Sequence, residues 1–425
     1  MNSNEDCHKR YNMLRSLTDM YSTLPDKTII DDFSTRRDAY GCDMTISLDI
    51  PGGIDALNTM GLYKRQFGPH HPYCYLDSMF KTGSLYFIKS GQGHIRNLTM
   101  DYSVTFDSNI VSETKQFIAN KPSPNRPSFI EAIDHIVNNR INTDATPYLI
   151  ENVLFPSSLS KCRTNIIIKH LAHYLLLSTA TPSNFRSKAK DRYTYSITCA
   201  EALRISKQRV RDMVRTYTNA TDIVKIALTR RDIYYVLLLT TIAYFDSRPL
   251  EDKLLFVLEQ SLQVIPKLPV RELAFCLYFF ENREPGRSFY QSVKYKRGEK
   301  LISCIANKAR DLSWARLLET ASSDRTHDFS IFYFLTFDKS LVDLMKLYKY
   351  RFLIIDHICK KMLPVPVYDL KTELNKKAMF RIVDKLNDLS KPDNYEKRLH
   401  SSKAVSLADI NLAIKDSENY LLGLQ

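Results

Sequence analysis

Two short apolar stretches that each lead to an aspartate constrain the fold of this chain most strongly. Residues 101–107 alternate apolar with smaller polar side chains and close on Asp107, a period of two that is typical of a β-strand. Residues 331–336 form a second apolar run, and Asp338 follows two positions later. A helix is predicted directly after each aspartate, so each segment indicates a strand, an acidic residue and then a helix.

Further strands and helices are predicted between and after these two stretches. Helices are expected over 272–281, 299–321 and 339–348, and an apolar strand over 352–355. Strands that alternate with helices predict a parallel sheet, and therefore an α/β protein. Because ligands gather at the carboxyl ends of strands in such sheets, the two aspartates indicate a site.

The pattern along the chain predicts four segments. An N-terminal α/β extension is expected at 1–98, the α/β core at 99–119 and 268–363, and an all-helical insertion at 120–267. A charged, helical C-terminal tail at 364–425 is a candidate binding site for a protein partner or a second copy of the chain.

Composition narrows the classes of partner and compartment. The net charge of +13, from 60 Lys and Arg against 47 Asp and Glu, favours polyanions such as nucleic acid. The N-terminus is polar, and the longest apolar run, 233–245, is short for a bilayer. The eight scattered cysteines are typical of reduced core residues. We therefore expect a cytoplasmic protein without a membrane segment, and the lack of a glycine-rich phosphate loop predicts no nucleotide cofactor.

Two helical carboxylates are candidates to join the strand-end aspartates. Glu272 shares a helical face with Phe275, Cys276 and Phe279, and a carboxylate on an apolar face must be paired, protonated or bound to metal. Asp311 lies beside another apolar stripe. Either side chain is predicted to point into a cleft.

The steps Asp107-Ser-Asn109 and Thr336-Phe-Asp338 resemble those that open and close the PIN-domain nuclease fold. The resemblance implies a three-layer core with a parallel sheet, and an acidic cluster that binds Mg²⁺ or Mn²⁺. In this chain the cluster would be Asp107, Glu272, Asp311 and Asp338, supported by Asn109 and Thr336. It also implies products with 5′-phosphate and 3′-hydroxyl ends.

Each acid has a structural alternative. Asp107 and Asp338 both stand where a helix N-cap is favoured, and Asp311 is three residues from Lys308 on one helical face. Glu272 could be the partner of an arginine. The gap between the first and second acids is long for the family, so Glu151 and Glu131 are rivals for the role of Glu272.

Basic residues that would contact nucleic acid fall in two places. Residues 200–214 resemble a helix-turn-helix, with the turn at Arg204 and with Ile205 and Val210 at positions expected to be buried. The second helix would carry Lys207, Arg209 and Arg211. The alternative is a basic helical hairpin that grips the RNA backbone without reading bases. Three further cations near the predicted acids would attract the phosphates of the nucleic acid: Lys308, Arg310 and Lys339.

Two functions follow from these residues. The first is a metal-dependent endonuclease, acting on RNA rather than DNA, of the kind found among bacterial toxins and phage-defence effectors of the PIN-like family. The second is a non-catalytic, nucleic-acid-binding regulator that uses the helix-turn-helix-like segment.

Overall fold

The computed structural model describes residues 3–22, 24–35, 44–54, 64–80, 85–89, 93–94, 100–154, 161–183, 192–217, 221–265, 268–321, 329–359, 361–391, 394, 397 and 406–424. The chain is a mixed α/β protein and divides into two compact units. The first unit comprises Met1–Ile223, Leu317–Val342 and Lys349–Val367. The second comprises Val224–Arg316, Asp343–Tyr348 and Tyr368–Gln425.

The described residues of the first unit form two five-stranded sheets and a two-stranded hairpin. Its strands are β1 (Met44–Ile54), β2 (Arg65–Phe67), β3 (Cys74–Ser78), β4 (Leu85–Lys89), β5 (Gly93–His94), β6 (Met100–Phe106), β7 (Thr143–Asp144), β8 (Ala180–Pro182), β9 (Tyr193–Tyr195), β10 (Phe329–Thr336), β11 (Tyr350–Asp356) and β12 (Lys361–Pro366). Its helices are α1 (Ser3–Ser22), α2 (Asp26–Thr35), α3 (Ser108–Ile118), α4 (Arg126–Asn138), α5 (Thr146–Leu149), a π-helical turn (Ile150–Leu154), α6 (Lys161–Ser178) and α7 (Cys199–Tyr217).

Helices make up most of the second unit, and three of them include residues assigned to the first unit. They are α8 (Thr221–Phe245), α9 (Leu250–Val264), α10 (Val270–Phe280), α11 (Gly286–Lys294), α12 (Gly298–Ala321), α13 (Lys339–Met345), a 3-10 turn (Lys346–Tyr348), α14 (Leu370–Lys376), α15 (Phe380–Ser390) and α16 (Leu407–Gly423). No described helix combines the length and hydrophobicity that crossing a bilayer requires.

The sheet that carries both strand-end aspartates is mixed, which corrects the expectation of a parallel sheet. Its order is β2-β3-β10-β6-β7, and only the pairs β10-β6 and β6-β7 are parallel. β3, which comes from the N-terminal segment, pairs antiparallel with β10. Val104, Thr105 and Phe106 are all buried, so both faces of β6 are covered, as in the centre of an α/β sheet.

The predicted strand at 352–355 belongs to the other sheet. This sheet has the order β12-β11-β1-β4-β5, and all its pairs are antiparallel. The N-terminal segment thus contributes strands to both sheets. Helices α1 and α2 bury Leu14, Tyr21 and Phe33 against apolar side chains of β1 and β11 such as Ile46 and Ile354.

A buried ion pair connects the two sheets. The ammonium of Lys349, just before β11, donates to Asp77 Oδ1 of β3 at 2.6 Å and to the carbonyl of Ser78. Burial lowers the pKa of Lys349 to about 7, because the attraction of Asp77 offsets only part of the cost of removing the ammonium from water. The backbone N–H of Tyr350 also donates to the carbonyl of Met79 at 2.7 Å.

The segment predicted to be all-helical includes three short strands. β7 extends the mixed sheet, where its position parallel to β6 satisfies backbone groups at that edge. β8 and β9 form an antiparallel hairpin. The remaining described residues between 126 and 264 are largely helical, as the sequence indicates.

The tail predicted at 364–425 begins inside β12 of the first unit, and from Tyr368 onward it belongs to the second unit. α14 lies against α10, and α15 and α16 both contact α9. Glu418 of α16 accepts a hydrogen bond of 2.6 Å from the hydroxyl of Tyr234, and Glu373 of α14 pairs with Arg283 at 3.0 Å. These contacts make the segment a part of the second unit's helical packing.

Replacing Gly286 by Ala is expected to destabilise the second unit by about 1–3 kcal/mol, since α11 begins where it nearly touches α10. A methyl group at this position would lie 2.7 Å from the carbonyl carbon of Tyr278 and 2.8 Å from Cα of Phe279. These are backbone atoms, so the two helices would have to separate. The measurement is urea unfolding. In the control, Gly423→Ala, the added methyl meets nothing within 4 Å, and an equal midpoint for both variants would contradict the prediction.

Candidate functional site

The two predicted strand-end aspartates come together at one edge of the mixed sheet. β6 and β10 are parallel neighbours with Phe106 beside Leu335, so both strands end at the same edge. The hydroxyl of Thr336 donates to Asp107 Oδ2 at 2.9 Å, and the same hydroxyl accepts the backbone N–H of Asp338 at 3.0 Å. Thr336 is fully buried, and it therefore fixes the position of both aspartates relative to each other.

Asp107 and Asp338 differ in how their carboxylates are used. Asp107 stands at the N-cap position of α3, yet its side chain makes no capping hydrogen bond. Asp338 does cap α13, because its Oδ1 accepts the backbone N–H and the hydroxyl of Ser340 at 2.8 and 2.6 Å. Within the described residues, Oδ2 of Asp338 has no hydrogen bond. Capping therefore occupies one of its two oxygens and leaves the other for a ligand.

Asn109 is the other supporting residue predicted at this edge. Its amide lies 3.4 Å from Asp107 Oδ2, a long hydrogen bond, and its side chain is exposed. Asn109 and Asp338 line an open cleft of about 550 Å³, together with five further residues: Ser112, Glu113, Gln116, Asn125 and Phe337. The cleft is polar and wide enough for several waters or a phosphate group.

Glu113 is a carboxylate of this cleft that the sequence analysis missed. It is only 6 % exposed; Oε2 accepts the hydroxyl of Ser123 at 2.8 Å, while the buried Oε1 has no partner among the described residues. Leaving a buried carboxylate oxygen without a hydrogen bond is unfavourable. Glu113 lies four residues after Asn109 and therefore on the same face of the helix. This spacing could have predicted Glu113 as a residue of the site.

Glu151 is a rival of Glu272 for the role of the middle acid, the one predicted to come second in the cluster after Asp107, and it lies next to this edge. The hydroxyl of Ser108, the residue after Asp107, donates to Glu151 Oε2. Glu151 is held on the π-helical turn, a rare element that is frequent at functional sites. Asp144 ends the third parallel strand, where its Oδ1 accepts the backbone N–H of Thr146, the first residue of α5, at 2.8 Å.

The other two predicted acids belong to the second unit. Glu272 is 4 % exposed, and Phe275, Cys276 and Phe279 on its helical face are fully buried, so the predicted apolar surroundings are present. Asp311 is partly exposed and pairs with Lys308 at 3.5 Å, the alternative that its spacing indicated. The four acids are thus divided, two in each unit.

No three Asp, Glu, His or Cys side chains in the described part of the chain stand close enough together to hold one metal ion. Among the described residues, a cation at the β6–β10 edge would therefore have at most two Asp, Glu, His or Cys ligands. The remaining positions would be filled by water and substrate oxygens.

The helix-turn-helix interpretation of residues 200–214 is wrong. α7 is one uninterrupted helix from Cys199 to Tyr217. Ala202, Ser206 and Val210 recur every four residues and are all buried, so a single straight helix buries them on one side and no turn is needed at Arg204. Ile205, expected to be buried, is only half-buried.

The remaining predicted cations are exposed or engaged with neighbours. Lys207, Arg209 and Arg211 are all exposed on α7. Lys339 is exposed and directly follows Asp338. In the second unit, Lys308 lies 4.3 Å from the ring centre of Phe289 in addition to its pair with Asp311. Arg310, also of that unit, lines the same cleft as Lys308.

No protein-family model, curated protein or solved structure matches this chain. The fold and the site geometry are therefore the basis for assigning a function.

Proposed function

We propose that this protein is a PIN-like, metal-dependent nuclease whose site lies at the β6–β10 edge. One observation carries the proposal: the buried hydroxyl of Thr336 connects Asp107 and Asp338 at the ends of adjacent parallel strands. An acid also follows or ends each strand of the parallel trio β10-β6-β7, as Asp144 does on β7. This arrangement supports a PIN-like core, from which antiparallel β3 is a departure.

The donor set suits Mg²⁺ or Mn²⁺. Both are hard cations that prefer carboxylate oxygens, and Mg²⁺ is commonly held by one or two carboxylates plus waters and substrate phosphates. When bound, the cation would lower the pKa of a water and neutralise charge on the phosphodiester. Asp107 and Asp338 would hold it, and Thr336 would keep Asp107 oriented.

Two nearby acids are better candidates for additional roles than Glu272 and Asp311. Glu151 is connected through Ser108 to the chain beside Asp107, and Glu113 has a buried oxygen without a hydrogen bond at the cleft. Either carboxylate could accept a proton from an attacking water. We assign the middle-acid role to Glu151, because its partner directly follows Asp107.

The substrate proposed is RNA, to which a net charge of +13 is complementary. The test is to incubate the purified full chain with 5′-labelled single-stranded RNA and DNA of one sequence, with Mg²⁺, Mn²⁺ or EDTA. Cleavage of RNA with either cation and none in EDTA is expected. Cleavage that persists in EDTA overturns the metal mechanism, and binding without cleavage under all conditions would favour the non-catalytic regulator.

A further inference from the structure

α7 carries four cations in a row on its solvent side. At about 100° per residue, Arg204, Lys207, Arg211 and Arg215 fall within a sector of roughly 80°. All four side chains are exposed. Two exposed carboxylates, Glu201 and Asp212, lie three residues before Arg204 and Arg215, but neither forms an ion pair with them, and Asp212 accepts a hydrogen bond from Gln208 at 2.7 Å. With about 1.5 Å of rise per residue, the row is about 16 Å long. We call these four residues the α7 stripe.

The opposite side of α7 attaches the helix to the protein. Ala202, Ser206, Val210 and Met213 are buried, and α7 packs against α6 and the π-helical turn that holds Glu151. The stripe therefore faces away from the packed surface of a fixed helix. Like charges in a row repel one another and so destabilise the helix. A polyanion bound along the row would neutralise these charges and remove the repulsion.

We propose that the α7 stripe is a binding surface for the sugar-phosphate backbone of single-stranded RNA. Cations three or four residues apart along one line match a repeating linear polyanion and carry no information about base sequence. An anionic membrane fits less well, because a helix that lies in a membrane needs a broad exposed apolar face, whereas the exposed large apolar side chains of α7 among the described residues are Leu203 and Val214, each 37 % exposed. This inference does not require the chain to cleave RNA.

Arg209 provides an internal control. It points about 140° away from Arg204 around the helix, on the side where its charge acts on Tyr174 of α6. From the sequence, the predicted nucleic-acid contacts were Lys207, Arg209 and Arg211. In the helix, Arg209 lies off the stripe, and Arg204 and Arg215 lie on it instead. The single variant Arg209→Gln should bind RNA as the unmodified protein does.

The test compares two variants of the full chain with equal charge loss. The stripe variant is Arg204→Gln/Lys207→Gln/Arg211→Gln/Arg215→Gln. The control variant replaces four exposed lysines elsewhere with Gln: Lys27, Lys376, Lys397 and Lys415. Affinity for a fluorescent single-stranded RNA is measured by anisotropy in EDTA, which prevents metal-dependent cleavage, at several salt concentrations. Circular dichroism and thermal unfolding verify that both variants fold.

We expect the stripe variant to bind on the order of tenfold more weakly or worse, with a shallower salt dependence. The loss in slope should be about 0.7 per lost phosphate contact, or up to about 3 for four contacts. The control variant should retain its affinity. Equal losses in both variants would show that net charge acts and not the stripe. Unchanged RNA binding by the stripe variant also overturns the proposal. The same holds if the stripe variant loses co-sedimentation with phosphatidylserine vesicles but binds RNA as before.

Discussion

Changing Asp107 to Asn is expected to lower Mg²⁺-dependent RNA cleavage by at least roughly 100-fold, with little change in stability. The substitution removes one of two close negative ligands from the cation. Changes to groups that only orient a metal ligand already cost about 10–100-fold, so loss of the ligand's charge should cost at least as much. Asn retains an oxygen that can accept the hydrogen bond from Thr336, and the fold should therefore persist. Cleavage is measured at saturating Mg²⁺.

Asp338→Asn separates the two roles of Asp338. Because Asn is as good an N-cap as Asp, this variant should keep the stability of α13 and still lose cleavage. A normal rate with Asp338→Asn would mean that Asp338 is only a cap.

The identity of the middle acid is tested by a matched pair, Glu151→Gln and Glu272→Gln. We expect the first to impair cleavage and the second to leave it intact. The reverse result would return the role to Glu272 and contradict the site as assigned to the first unit.

Replacing Asp356 by Ala should destabilise the first unit by about 3–5 kcal/mol, the usual effect of removing one partner of a buried ion pair. Asp356 is fully buried at the end of β11. Its carboxylate accepts two hydrogen bonds from the guanidinium of Arg10 at 2.6 and 3.0 Å, and the backbone N–H of Ile358 at 2.9 Å. Without it, the buried Arg10 keeps its charge and loses this partner. Urea unfolding gives the size of the effect.

Two comparisons test the cause of that loss. The double variant Arg10→Met/Asp356→Leu removes both charges and should be more stable than Asp356→Ala, because no isolated charge remains. Asp388→Ala, which removes an exposed partner of Lys391, should leave unfolding unchanged. Hydrogen exchange should place the loss of protection in α1, β1 and β11. A double variant no more stable than the single one would exclude the buried charge as the cause.

Local sequence determined most of the secondary structure that positions the site. Alternation over 101–106 and the apolar run over 331–336 correspond to β6 and β10, because side chains on a strand alternate between its faces. The helices at 272–281 and 299–321 follow in the same way from spacing. The sequence itself shows that Asp107 and Asp338 each follow a strand. Because those two strands pair in parallel, both aspartates lie at the same edge of the sheet.

Sequence did not determine which distant segments pair. β1 pairs with β11 across about 300 residues of chain, and strands with the same apolar pattern can be joined in many orders, since pairing depends on which surfaces the rest of the chain covers. The sequence therefore did not predict that N-terminal strands belong to both sheets. It also did not predict that the strand at 352–355 pairs in a different sheet from β6 and β10. The same applies to Glu151, whose partner Ser108 comes from another element, 43 residues earlier in the chain.

α7 shows both sides of this division in one helix. Its basic character was evident from composition, yet a turn at Arg204 was predicted where the chain continues as a helix. The tertiary structure provides an apolar surface that buries Ala202, Ser206 and Val210 together, and the burial of this continuous row favours an unbroken helix. Only that orientation decides which cations form the stripe: four of them face solvent in line because the opposite face is buried.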